Sequence, residues 1–186
     1  MHPFKNYNFY LIPLLVVAAF IRWPHIFVER LWSDEALYLW CGKRIFENPS
    51  LVFSKEVISF HPPLFSVILA IFNIFLPSTI SGRGVAYLFY LAGIVVVYIL
   101  GKRIKNDLVG FFSALLLAFS FPYFIFSTFI LIDVPLVVLI LVLVLFLLKI
   151  KKAVLSMEDM SIGLVGLSIL FIKTSGVMIL PLVIFI

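Results

Sequence analysis

The sequence predicts an all-α, polytopic transmembrane helical bundle, and three observations carry that expectation. Hydrophobic residues make up 64% of the 186 positions and charged residues only 12%, against about 45–50% and about 25% in soluble domains. The mean hydropathy is +1.23, so the chain carries more apolar surface than a water-soluble core could hide. The apolar residues also fall into long runs with basic residues at their ends, the arrangement that sets orientation in a membrane. A net charge of +5, scattered rather than clustered on one face, excludes a nucleic-acid footprint. The single cysteine, Cys41, excludes an internal disulfide.

The first apolar run, residues 8–28, approaches the ~20 residues that a bilayer requires. Arg22, Trp23 and Pro24 follow it in place of a small-residue cleavage site, which predicts a retained signal anchor. Arg22 and His25 lie where long side chains can snorkel to the interface. Residues 29–60 form the longest mixed-polarity stretch, with a helix opening at Ser33 as N-cap, Asp34 and Glu35 in its first turn, and an end near Asn48 and Pro49. Helical spacing from Asp34 through Tyr38, Cys41 and Ile45 puts the acid at the head of an apolar stripe.

His61-Pro62-Pro63-Leu64 opens a helix that Pro77 closes, short for a span and expected to lie on, or dip into, the membrane. Spans are expected over residues 83–100, ending in Gly101-Lys102-Arg103, and over 107–128. Another starts at Asp133-Val134-Pro135 and ends at the Lys149–Lys152 cluster. The last apolar stretch, 162–186, is broken at Lys173-Thr174-Ser175-Gly176, which predicts two short helices meeting at a turn. If the His61 helix does not span, the basic clusters at 102–105 and 149–152 fall on the cytoplasmic side. Asp34, His61, Asp133 and Lys173 then share the outer side. The chain is expected to be one membrane domain, 1–186, truncated at its C-terminus, with 29–82 as the first extracytoplasmic loop.

Two acids suit chemistry. Asp34, beside Glu35, and Asp133, alone in an apolar run, can each be helix caps; brought together they make an acid/base or acceptor-binding pair. Lys173 in apolar surroundings requires an anionic partner, and a lipid phosphate would supply one. His61 can be a packed interfacial histidine and Arg83 an interface anchor. No phosphate-binding glycine loop, Cys/His metal spacing or nucleophile elbow is present, and Asp34-Glu35 lacks the Asp-x-Asp arrangement for a metal-bound nucleotide sugar.

Trp32-Ser33-Asp34-Glu35-Ala36-Leu37-Tyr38, His61-Pro62-Pro63-Leu64, Arg83 heading a span, Asp133-Val134-Pro135, and Leu170-Phe171-Ile172-Lys173 occur in that order. Together they resemble the membrane glycosyltransferases of the dolichyl-phosphate-mannose–protein mannosyltransferase and aminoarabinose transferase type, with the GT-C fold. The resemblance covers nearly the whole chain but only the N-terminal half or less of such enzymes, so activity could depend on further spans. It implies a sugar moved with inversion from a polyprenyl-phosphate donor to a protein or glycolipid acceptor, at the extracytoplasmic face of the cell membrane. Asp34 would be the general base and Asp133 would position the acceptor. His61 and Lys173 would approach the donor phosphate, with Glu35 and Arg83 as further substrate contacts. No cofactor is implied; a divalent metal stays an open alternative. The competing reading is a transporter with Asp133 or Lys173 as an intramembrane relay, which would call for inverted repeats.

Overall fold

The computed structural model describes residues 8–58, 61–75, 78–148 and 157–179, and among these all regular structure is helical. Helix α1 (Asn8–Arg22) gives way at Trp23 to a 3₁₀ turn, Trp23–Phe27, because Pro24 cannot continue the α-helical hydrogen-bond ladder. Helix α2 (Ser33–Glu47) ends against Asn48, whose side chain accepts from Ser50 N–H, and Pro49 starts another 3₁₀ turn before the short α3 (Lys55–Ile58). Helix α4 (Leu64–Phe72) is shorter than expected, since the chain turns at Asn73–Phe75 before reaching Pro77. Helix α5 (Ser78–Ile104) is longer and takes Gly101, Lys102 and Arg103 into its last turns.

The span expected over 107–128 is two helices, α6 (Asp107–Phe119) and α7 (Phe121–Phe126). Ser120 is extended between them, and Pro122, lacking an N–H, begins the second. Helix α8 (Asp133–Leu147) starts where expected; the Lys149–Lys152 cluster lies outside the described residues. Helix α9 (Met157–Ile172) breaks at Lys173 and a 3₁₀ turn, Thr174–Ile179, follows, with 180–186 outside the described residues.

Helix α5 is the spine, packing against α1, α2, α4, α6 and α8, while α9 rests on α8 and α4. Along it Tyr90, Ile94 and Tyr98 face the small residues Ala18 of α1 and Ala114 and Ala118 of α6. Tyr90 donates its hydroxyl to Ala118 O at 2.8 Å and Tyr123 donates to Tyr90 O at 3.0 Å, so these phenols enter the interior with partners. The α5–α6 crossing needs glycine on both sides: a Cβ on Gly101 would lie 2.8 Å from Gly110 Cα, and one on Gly110 would lie 2.5 Å from Tyr98 O.

The outward faces are as greasy as the inward ones. Phe9, Ile12, Val16 and Phe20 run down the exposed side of α1, and Leu108, Phe112, Leu116 and Phe119 down that of α6. Contiguous apolar stripes of this kind are costly in water. Two helical stretches, Phe9–Phe27 and Thr79–Ile104, are long and apolar enough to cross a membrane. Arg83 and Lys102 lie about 28 Å apart along α5 at 1.5 Å per residue, close to the ~30 Å of a hydrocarbon core. Asp133 starts α8, and Leu145 near its end accepts from Arg103 at 3.2 Å. The acidic cluster and the Lys102–Arg103 turn therefore occupy opposite ends of the bundle.

Candidate functional site

The first turn of α2 separates its two acids. Trp32, not Ser33, is the N-cap, and Glu35 at the third helical position accepts its N–H at 2.9 Å. That satisfies one of the donors a helix start leaves open. Tyr38, Leu39, Cys41, Gly42 and Ile45 form the buried face, and the acid at its head is Glu35, which is 0% exposed. Asp34, one helical step round, is exposed. The expected stripe of Tyr38, Cys41 and Ile45 is buried, but the acid at its head is Glu35 rather than Asp34.

Glu35 is a junction. Its Oε1 accepts Ile130 N–H at 2.8 Å and lies 3.2 Å from Arg83 Nη2. Arg83 donates Nη1 to Thr128 O and Nη2 to Arg30 O at 2.8 Å. Arg22, expected to snorkel, is instead 0% exposed; it donates Nε to Ser127 Oγ at 3.2 Å and Nη2 to Ser127 O. Three helices therefore send ionised side chains to the backbone of residues 127–130, the link between α7 and α8. Buried charges need pairing of this kind, although Arg22 Nη1 and Arg83 Nε are buried without a hydrogen-bond partner among the described residues.

The same link delivers Asp133. Its carboxylate meets Lys173 Nζ at 2.8 Å, with 46% and 29% of the two side chains exposed. Lys173 stands in the break between α9 and the following 3₁₀ turn, held from the main chain by its N–H to Ile169 O.

Asp34, Glu35, Tyr38, His61, Asp133 and Lys173 line one cavity of about 290 Å³, whose remaining wall includes Trp32, Phe126 and Phe129. His61 stacks on Tyr38 with centroids 5.5 Å apart, and Trp32 leans on Phe129 at 5.1 Å. Burial raises the Tyr38 phenol's pKa, and the Asp133 and Asp34 carboxylates add to the effect, so it stays a hydrogen-bond donor at neutral pH. Burial lowers the His61 pKa and Lys173 lowers it further, against the opposing pull of Asp34 and Asp133. The imidazole is therefore neutral at pH 7 and offers an N–H rather than a charge.

Of the candidate residues, Asp34, Glu35, His61, Asp133 and Lys173 share the cavity; Arg83 lies behind its wall as Glu35's partner. The sequence reasoning missed Tyr38 as a lining group and Arg22 as a buried one. An arginine followed by Trp-Pro at a span's end has the signature of an interface anchor, and nothing local signals its reach to Ser127. Two further hollows adjoin the cavity. One, of about 260 Å³, shares Phe126 and Asp133; the other, of about 380 Å³, shares His61 and is walled by Pro62, Pro63, Leu170 and Phe171. Among the described residues no group of three or more His, Cys, Asp or Glu could hold a metal ion.

A sequence model of the family described as dolichyl-phosphate-mannose-protein mannosyltransferase matches residues 60–186. The matched stretch holds His61, Arg83, Asp133 and Lys173 and begins after Asp34 and Glu35. No curated protein and no solved structure matches the chain.

Proposed function

The chain belongs to the dolichyl-phosphate-mannose-protein mannosyltransferase family, and from that premise we propose that it is a glycosyltransferase using a polyprenyl-phosphate sugar at the outer face of a membrane. The observation that supports the reading best is the shared cavity, which joins three acids, a lysine and a histidine from four separate segments. Asp34, exposed to the cavity, takes the proton of an acceptor hydroxyl or amine. The acceptor heteroatom attacks the anomeric carbon, the bond from that carbon to the phosphate oxygen breaks, and the polyprenyl phosphate leaves with the electron pair. One displacement inverts the anomeric configuration. Lys173 supplies positive charge to the departing phosphate and His61 an N–H, so charge is stabilised where it develops. Asp133 holds Lys173 in place and offers its second oxygen to the acceptor.

In this scheme a phosphate already activated as a leaving group needs no nucleotide site, and the donor chain stays in lipid while its head reaches the cavity. Residues 29–82 form the first extracytoplasmic loop of a single polytopic domain, with α2 and α4 as juxtamembrane helices, and Lys102–Arg103 face the cytoplasm. Glu35 and Arg83 support the wall rather than touch the substrate. The test is transfer by the protein in lipid vesicles from dolichyl-phosphate mannose to peptide and glycolipid acceptors. The expected product carries the sugar with inverted anomeric configuration, and dolichyl phosphate is released in equal amount. A retained configuration would overturn the single-displacement scheme; no consumption of donor with any acceptor would overturn the function.

A further inference from the structure

Arg22 has no part in the scheme above, yet it is a fully buried charge in the first helix. Its guanidinium grips Ser127 twice, through Nε to the hydroxyl at 3.2 Å and through Nη2 to the carbonyl. The next carbonyl, Thr128 O, is taken by Arg83, and two residues on Ile130 N–H goes to Glu35 at 2.8 Å. Successive backbone groups of one link are thus held by ionised side chains from α1, α5 and α2. Beyond the link stands Asp133; beside Glu35 stands Asp34. Arg83 Nη2 also holds Arg30 O at 2.8 Å, which ties the chain entering α2 to the same cluster.

We infer that Arg22 is a positioning residue: with Arg83 and Glu35 it forms a buried clamp that fixes the α7–α8 link against the start of α2 and so sets the spacing of Asp133 and Asp34. The inference rests on the proposed function for its catalytic consequence but not for its geometry. An apolar link would slide, because packing of Ile130 and Ile132 fixes depth but not register along the chain. Directional bonds to carbonyls 127 and 128 and to N–H 130 remove that freedom. Arg22 has no carboxylate among its partners and is held instead by the hydroxyl and carbonyl oxygens of Ser127. A misplacement of about 1 Å between reacting groups costs on the order of 10²-fold in rate, so the clamp acts on turnover rather than on donor affinity.

The experiment pairs kinetics with a distance. In a Cys41→Ala background, nitroxide labels on Ala36→Cys of α2 and Val137→Cys of α8, both exposed positions, report the α2–α8 distance in lipid vesicles. Separately, kcat and KM are measured with dolichyl-phosphate mannose. Arg22→Met is expected to broaden the distance distribution and to lower kcat about 10²-fold with KM for the donor changed less than threefold. Arg22→Lys, which keeps the charge but not the planar fork, recovers part of both. Ser127→Ala, which leaves the buried charge in place, shifts both in the same direction by less, and decides the matter if Arg22→Met does not insert. An unaltered distance distribution in Arg22→Met, or in Ser127→Ala where that variant stands in for it, overturns the clamp, as does a loss confined to KM. If the parent transfers no sugar, the functional reading falls while the label distance still decides the clamp.

Discussion

Glu35 has no surface in contact with solvent, and its carboxylate is met by Arg83 and by the N–H groups of Trp32 and Ile130. Removing one partner of such a pair leaves an uncompensated buried charge, at a cost of about 3–5 kcal/mol. Arg83→Met is therefore expected to lower unfolding stability by that amount, and Glu35→Gln/Arg83→Met to recover much of it; a double variant as unstable as the sum of the singles would argue against the pairing. His61 gives a pH signature. Its folded pKa lies below the ordinary value because of burial and Lys173. Its contribution to stability is thus complete above pH ~6.5 and is lost as pH falls through the folded value. His61→Gln should flatten the decline of the thermal midpoint below pH ~6.5, and a decline as steep as the parent's would count against this assignment. At this scale the sequence was half legible. Asp133 and Lys173 stood out because charge in an apolar run is conspicuous, Asp34 because an acidic pair opens a helix just after the first apolar run, and His61 only through the family resemblance. Which of the two adjacent acids turns inward depends on the helix's rotation against α4 and α5, and local pattern left that phase open by one residue.

Elements were most legible where proline and charge punctuate the apolar runs. The start of α8 and the break at Lys173 fall where Asp133 and the polar residues after Ile172 put them, and α2 starts one residue early, with Trp32 in place of Ser33 as its cap. Boundaries failed where tertiary packing overrode local signals. Helix α5 runs through Gly101 because that glycine permits close approach to Gly110 rather than ending the helix, and the 107–128 run divides at Ser120 because Pro122 denies it continuity. The crossing can be tested: Gly110→Ala places a methyl 2.5 Å from Tyr98 O and is expected to cost roughly 1–3 kcal/mol. Since the crossing lies at the far end of α5 from Glu35, donor affinity should be unchanged. A Gly110→Ala protein as stable as the parent would show that α5 and α6 do not pack this closely.

Taken whole, the molecule is a bundle whose two ends differ in character. One end gathers acids, a lysine and aromatic rings around a cavity; the other carries Lys102 paired with Asp107 at 2.8 Å and Arg103 against the last turns of α8. If a membrane lies between them, cysteines placed at Ser33 and at Leu131 should both react with an impermeant maleimide added outside, and one at Lys105 should not. Labelling of Ser33→Cys and Leu131→Cys from opposite sides would break the shared site.

In the proposed reaction a carboxylate at the mouth of this cavity, Asp34, removes the acceptor's proton. Asp34→Asn keeps the size and hydrogen-bonding reach of the side chain and removes its basicity, so a single sample measured for both dolichyl-phosphate mannose binding and single-turnover sugar transfer is the direct test. Binding within a few-fold of the parent with transfer reduced at least 10²-fold, the lower range for general-base catalysis, is the predicted result. Transfer at the parent rate by Asp34→Asn would contradict it.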